Sequence, residues 1–415
     1  DLLKKTGKHF SMNEAALQLE LHLTGQFFRY AAKVYRGSDL DVKELGWFIP
    51  RKKIDLTALL DSSLKTGVTA ADSAYSPLNR QYQRLQKALA EYISRQKEEN
   101  KDTIPYITQL LRKNHSYAVI PAIKARLAVL GDLATADSTN TYDSTLFNAV
   151  RHFQHRMGLL EDGVIGNRVI EAMNVPIAER IRQILINLER IRWMPAEKDN
   201  NYILVNIPEY KMHVFDSGKQ VFEMNVIVGT AANNTVIFTG NLKYIVFSPY
   251  WNVPESIVRK EVMPGIQHDK NYISRNHMEI TGYSGKIPIV RQKPGPANSL
   301  GLVKFLFPNN YNIYFHDTPN RELFSQSSRS FSHGCIRLGE PRKLAAYLLR
   351  NDSAWNDRSI DSAMHLSKEK WVSLAKSIPV FIVYFTAWVD GDGNPNFRKD
   401  IYGHDARMAE KLFRH

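Results

Sequence analysis

A chain of 415 residues has material for two to four domains, and its 43% hydrophobic and 23% charged residues are ordinary for a soluble globular protein. No stretch is long enough for a helical membrane span: the longest apolar run, residues 378–389, is too short and so rich in β-branched and aromatic residues that it reads as a buried strand. The net charge of +13 favours anionic partners, an acidic polymer or anionic lipid rather than nucleic acid, because there is no dense Lys/Arg block and no RNA-binding signature.

Residues 1–116 read as a mostly helical unit. Ser11, Met12, Asn13 and Glu14 form a capping box that opens an Ala/Leu-rich stretch. Tyr82, Leu85, Leu89, Tyr92 and Ile93 recur at helical spacing before a polar run over 94–102. A second unit spans 117–176. Ile123, Leu127 and Leu130-Gly131 predict a short helix ended by glycine; Leu146, Val150, Phe153 and Gln154 predict a second, closing at Gly158-Leu159. Asp162-Gly163 is a turn signal, followed by Gly166 and Val169-Ile170. This order of features resembles the small three-helix peptidoglycan-binding module, and the resemblance implies a unit that either binds wall glycan or has kept only its packing role. The stripe Ile177, Ile181, Ile184, Leu185, Leu188 and Ile191, closed by Trp193-Met194-Pro195, predicts a connecting helix within 177–199.

From residue 200 to 415 the texture is that of strands. Strands are predicted over 202–206, 211–215, 222–228, 243–247, 311–315 and 380–388, with a hairpin turn at Asp216-Ser217-Gly218-Lys219. Residues 251–300 are rich in Pro, Gly, Lys and His and read as an irregular insertion with one short helix over 254–263. His268, Asp269 and His277 match no standard metal-ligand spacing, so no metal is expected.

Cys335 is the only cysteine, set in Ser332-His333-Gly334-Cys335-Ile336-Arg337-Leu338. It has no partner for a disulfide. A lone cysteine is by default buried filler, but one flanked by glycine, arginine and histidines fits a nucleophile. A thiol is mostly protonated at neutral pH and needs a base to attack a carbonyl. His316, at the end of the predicted 311–315 strand, sits on a platform suited to hold an imidazole. Gly334 leaves the backbone N–H groups near the thiol open to a substrate oxyanion. Arg337 suits a carboxylate. Tyr314 shares the face of His316 by strand alternation, whereas Asp317 should point away and be structural. His333 is a second candidate base, though bracing the loop or contacting substrate suits it better, and Trp251 is either a stacking surface for substrate or a core-packing residue.

The pattern His316-Asp317-Thr318 followed by Ser332-His333-Gly334-Cys335-Ile336-Arg337 resembles the signature of the L,D-transpeptidase family, with its YkuD-type catalytic domain. Residues 252–257, 294–301 and 187–193 are similar to the YcbB-type subgroup. The resemblance implies a multidomain α+β protein: a helical scaffold (1–116), a peptidoglycan-binding-like module (117–176), a connecting helix (177–199) and a β-rich catalytic domain (200–415) whose insertion (251–300) caps the site. It implies Cys335, His316 and Gly334 as the catalytic set, and Tyr314, Ser332, His333, Arg337 and Trp251 as substrate contacts. It further implies no cofactor, donor and acceptor peptidoglycan stem peptides as substrates, carbapenems as inhibitors, cell-wall synthesis proteins as partners, and 3→3 cross-linking as the reaction. Hydrolysis by water, or wall binding without catalysis, are the alternatives. The implied location is the periplasm of a Gram-negative envelope, the chain opening at Asp1 as if a signal or inner-membrane anchor had been removed.

Overall fold

Helix-forming composition gives way to strand-forming composition near residue 200, and the backbone follows. The computed structural model describes residues 14–51, 55–66, 78–99, 102–195 and 200–413; the Ser11 capping box lies outside them. The first helices are α1 (Glu14–Arg36), α2 (Leu56–Thr66) and α3 (Leu78–Gln96). α3 buries Tyr82, Leu85, Ala88 and Tyr92, one face at helical spacing, while Ile93 of the predicted stripe is exposed.

The second unit forms α4 (Ile120–Leu130), α5 (Ser144–Met157) and α6 (Asn167–Asn174). Gly131 and Gly158 end the first two in left-handed conformation, at φ 80° and 65°, which glycine adopts without a Cβ clash. Asp143 caps α5 by accepting the Leu146 N–H at 2.8 Å. Gln154, buried beside Phe153, accepts the Gly163 N–H at 2.8 Å and donates to Asp162 at 2.9 Å. The Phe-Gln pair therefore braces the Asp-Gly turn from inside.

α7 (Ile177–Trp193) joins this unit to the strands. Ile177, Ile184, Leu188 and Ile191 of its predicted stripe are buried, Ile181 is partly so and Leu185 is exposed; Glu189 and Arg190 are buried as well. Arg190 pairs with Asp405 at 2.5 Å, and Glu189 accepts from the Trp193 indole at 3.0 Å. Buried charges need such partners.

The strands are β1 (Tyr202–Asn206), β2 (Lys211–Asp216), β3 (Lys219–Gly229), β4 (Phe238–Phe247), β5 (Trp251–Asn252), β6 (Met278–Ser284), β7 (Ile287–Gln292), β8 (Val303–Leu306), β9 (Phe315–His316), β10 (Ser330–Ser332), β11 (Ile336–Leu338), β12 (Lys370–Val383), β13 (Ala387–Val389) and β14 (Pro395–Phe397). Nine of them form one mixed sheet in the order β10-β3-β11-β9-β8-β4-β12-β1-β2, and the β2–β3 hairpin joins strands near the two ends of that order. Ser217 and Gly218, at φ 52° and 75°, make the tight turn of that hairpin. Helices α8 (Pro341–Leu349) and α9 (Asp357–Met364) add Leu344, Ala345, Ile360 and Ala363 to the core; α10 (His404–Leu412) carries Asp405 to Arg190.

Three expectations are corrected. The strand predicted over 311–315 shrinks to Phe315–His316, because Asn309 takes up its backbone: the side chain donates to Ile313 O at 2.7 Å and accepts the Tyr311 N–H at 2.9 Å. The strand predicted over 380–388 breaks after Val383. There the Asn206 amide accepts the Phe385 N–H at 2.9 Å and the Asn187 amide accepts that of Thr386 at 3.0 Å, replacing ladder partners. The insertion is not irregular. It holds an antiparallel sheet β5-β7-β6 and a helical run in which a π turn, Val258–Val262, lies between α-helical Glu255–Ile257 and Met263–His268. Val253, Val258, Val262 and Val290 form its separate core. The alternation Met278-Glu279-Ile280-Thr281, the Gly285 turn and the apolar run 287–290 were the available signals.

The units interlock. Trp47 packs edge-on against Trp193 at 5.7 Å and forms a bridge to Ile237; Gln81 bonds both backbone groups of Val389. Arg156 of α5, paired with Asp132, donates to Pro395 O at 2.8 Å.

Candidate active site

Adjacent strands β8, β9 and β11 place the functional side chains in rows. His316 pairs in register with Lys304 on one side and with Arg337 on the other. Residues directly paired across a sheet share a face, so these three form one row, with His316 between Lys304 and Arg337. The pairing continues one step beyond the strands, where the Ile336 N–H donates to Tyr314 O at 3.2 Å. Tyr314 and Cys335, each two residues before a member of the row, thus lie on the same face. The rings of Tyr314 and His316 stand 5.8 Å apart. A sequence separation of nineteen residues is closed by sheet register alone.

His316 is 5% exposed. Its Nδ1 lies 2.6 Å from Asp317 O. A carbonyl only accepts, so Nδ1 carries the hydrogen and Nε2 keeps its lone pair. Burial, with Arg337 next and Lys304 a lesser cause, depresses the imidazole to a pKa of about 3, against the pull of the Asp317 carbonyl. The ring is therefore neutral at physiological pH. Burial pushes the Cys335 thiol above its ordinary value, opposed by hydrogen bonds from the Tyr314 backbone and hydroxyl and by the charge of Arg337. Tyr314 is itself raised, first by burial and then by its nearness to Cys335. The resting pair is thus thiol and imidazole, both neutral. The thiol donates to Asn312 O at 3.5 Å; no bond to the imidazole is formed among the described residues, so the base predicted within hydrogen-bond reach is not yet engaged.

The loop before Cys335 is held from within. Gly334 has φ 114°, a backbone shape that L side chains rarely adopt. Ser332, buried, donates to Cys335 O at 2.5 Å and accepts the Gly334 N–H at 3.1 Å, so its hydroxyl braces the loop. Thr235 donates to Gly334 O at 2.9 Å. His333 is half-exposed and faces Glu261 of the insertion's π turn at 3.8 Å.

Arg337 has no ion-pair partner among the described residues, and its buried Nε lacks a hydrogen-bond acceptor. An unpartnered guanidinium beside a thiol is equipped to take a carboxylate. Asp317 plays no such part. Its carboxylate accepts from Leu302 N at 2.9 Å, from Thr318 N at 2.7 Å and from Arg321 at 2.5 Å, as its predicted structural role requires. Trp251 belongs to the insertion's sheet rather than to the row, half-buried against the insertion's core, while the carbonyl of its neighbour Tyr250 accepts from Lys304 at 3.4 Å. Lys304 and Thr235 were missed from sequence. A single Lys between buried Val303 and Phe305 was a usable signal for the first; nothing local marked the second. A cavity of about 600 Å³ between α7 and α10 includes none of these residues. Of its four acids, Asp405 and Glu179 are paired with Arg190 and Arg182, and Asp400 accepts from the Tyr384 hydroxyl.

Three family profiles match the chain: YkuD, the L,D-transpeptidase catalytic domain, over residues 200–360; a "Scaffold domain" over 1–89; and a "Putative peptidoglycan binding domain" over 117–173. An L,D-transpeptidase catalytic domain and a peptidoglycan-binding domain are therefore present. Over 243 residues the chain is 32% identical to a "Putative L,D-transpeptidase" of Haemophilus influenzae, which covers 55% of this chain and 49% of that protein. The chain spans about half the length of that curated relative. Among solved structures, an L,D-transpeptidase from Stackebrandtia nassauensis aligns at 15% identity and TM-score 0.26, over 68% of this chain and 96% of its own. The catalytic domain of the E. faecium L,D-transpeptidase acylated by ertapenem aligns at 11% identity and TM-score 0.20, over 45% and 99%. Superpositions this loose carry no weight for function.

Proposed function

We propose that this chain is a peptidoglycan L,D-transpeptidase of the YcbB-type subgroup that works through Cys335. The observation that carries the reading is a lone thiol sharing a sheet face with a neutral, correctly protonated imidazole, inside the residues matched by the L,D-transpeptidase catalytic domain. Sγ attacks the carbonyl between diaminopimelate and the terminal D-Ala of a tetrapeptide stem. His316 Nε2 takes the thiol proton as the S–C bond forms, and the Cys335 N–H stabilises the oxyanion. The C–N bond then breaks, and D-Ala leaves with the proton from His316. In the second half, a side-chain amine of another diaminopimelate attacks the thioester and loses a proton to His316. The amide forms, the thiolate leaves and recovers its proton, and a 3→3 cross-link results. Arg337 holds a donor-stem carboxylate, and Lys304 adds to the positive field. An imidazole near pKa 3 is a weak base at rest, and it gains basicity only as thiolate charge develops beside it.

The peptidoglycan-binding domain supports a cell-wall location, read here as periplasmic, and a wall polymer with free carboxylates suits the +13 charge. The reactive thiol is also the expected point of carbapenem acylation. Intact-mass analysis with a carbapenem should give one adduct in wild type and none in Cys335→Ala. With tetrapeptide stems the products should include dimers lacking one D-Ala. Tripeptide alone would make water the acceptor, and stems left uncut by a protein that still binds wall would make the chain a binding protein.

A further inference from the structure

The nucleophile loop hangs from a buried hydroxyl. Thr235, 1% exposed, precedes β4 and lies a hundred residues upstream of Cys335. Its Oγ1 is 2.9 Å from Gly334 O and 2.9 Å from Gly229 N. An N–H cannot accept and a carbonyl cannot donate, so the hydroxyl hydrogen must point at Gly334 O while a lone pair receives the Gly229 N–H. Tyr402, from the segment before α10, fixes the other end. Its hydroxyl donates to Gly229 O at 2.6 Å and accepts the Thr235 N–H at 3.4 Å, and Ser330 also donates to Gly229 O.

Gly334 O and the Cys335 N–H belong to one trans peptide unit, so they point in opposite directions. Drawing the oxygen inward to Thr235 turns the N–H outward. That N–H has no hydrogen-bond partner among the described residues. No second hydrogen bond holds this peptide among the described residues, and Gly334 has no side chain whose packing could fix it: a methyl at its Cα would come no nearer than 3.7 Å to Asn234 O. Ser332 holds the two flanking peptides, through Gly334 N and Cys335 O. Among the described residues, only Thr235 holds the one between them.

We infer that Thr235 is a positioning residue for the oxyanion site, orienting the Cys335 N–H toward the carbonyl under attack. The inference rests on the acyl-transfer reading above. Opening of a carbapenem tests it, because the S–C bond forms, the lactam C–N bond breaks, the thiol proton passes to the lactam nitrogen, and an oxyanion arises on the way. Alkylation by iodoacetamide uses the same thiol, displaces iodide at a saturated carbon and forms no oxyanion.

In the full chain, Thr235→Val should slow carbapenem acylation by about 10- to 100-fold through the rate of the covalent step rather than through initial binding, somewhat less than outright loss of an oxyanion donor. Its iodoacetamide rate should stay within about twofold of wild type, and Thr235→Ser should restore acylation to within about threefold, the same hydroxyl geometry being available. Thr235→Ala carries the same expectation should the valine variant fold poorly. Equal slowing of both reactions would overturn the inference, placing Thr235 in service of the thiol or the fold, and so would no slowing of either. A wild type that forms no adduct at Cys335 would defeat the acyl-transfer reading first and this one with it.

Discussion

Lowering the pH from 7.5 to 5.0 should leave the rate of Cys335 acylation nearly unchanged. A free imidazole titrates at 6.5, so at pH 5.0 only about 3% would remain neutral, against about 90% at pH 7.5, a loss of roughly 30-fold in any rate that needs the base. Burial holds His316 at about 3, which leaves about 99% neutral at pH 5.0. Burial raises the thiol above its ordinary value, which favours the protonated form across the range, so the reacting population is one neutral pair throughout. The assay is the initial rate of carbapenem adduct formation by intact mass, on a protein with one cysteine to label. A fall of about 30-fold with a midpoint near 6.5 would show an ordinary solvated imidazole and refute the burial argument. A rate rising about tenfold per pH unit would show thiolate formed by hydroxide and remove His316 from the step.

Four other outcomes follow from the same contacts. The depressed pKa of His316 means the unfolded chain takes up its proton first as pH falls below 6.5, so stability is lost between 6.5 and about 3; at pH 4.5 wild type should have lost about 3 kcal/mol more than His316→Gln, read by urea unfolding, and a pH-independent difference would contradict it. Arg337→Met should raise the donor KM about 10- to 100-fold, abolish discrimination against a donor whose diaminopimelate carboxylate is amidated, and move the acid limb upward, since Arg337 helps depress His316; equal loss for both donors would mean Arg337 only braces the loop. Gly334→Ala has room for its methyl yet must hold φ 114°, so melting should report about 1–3 kcal/mol of strain and acylation should fall. Asn187→Leu strands the Thr386 N–H in the core where α7 meets the catalytic domain, which should cost about 2–3 kcal/mol in urea unfolding; a loss under about 0.5 kcal/mol would mean the junction does not depend on that amide.

Local rules carried much of the molecule. Glycine ends of α4 and α5, the Asp143 cap, the hairpin at Ser217-Gly218 and the apolar stripe of α7 are set by neighbours within a turn or two, where backbone sterics and helix periodicity act. The same rules failed where a distant side chain replaced a ladder hydrogen bond. Asn187 and Asn206 broke the strand predicted over 380–388 by offering amides that no window of sequence around it contains, whereas Asn309, two residues before the strand predicted over 311–315, acted from close by and was a local signal. The insertion was missed as structure because its four-valine core is assembled from both ends of a forty-residue span.

By itself, the sequence determined the candidate groups: one cysteine, its glycine, and the histidines and arginine around it are written in the order of the chain. What only the tertiary structure decided is the state of those groups. Whether His316 is charged depends on water excluded by strands from elsewhere in the chain and on Lys304 and Arg337 brought beside it by register. Which way the Cys335 N–H faces depends on Thr235, a hundred residues away. Covalent identity is local, whereas desolvation and hydrogen-bond direction are set by whatever the fold packs around a group.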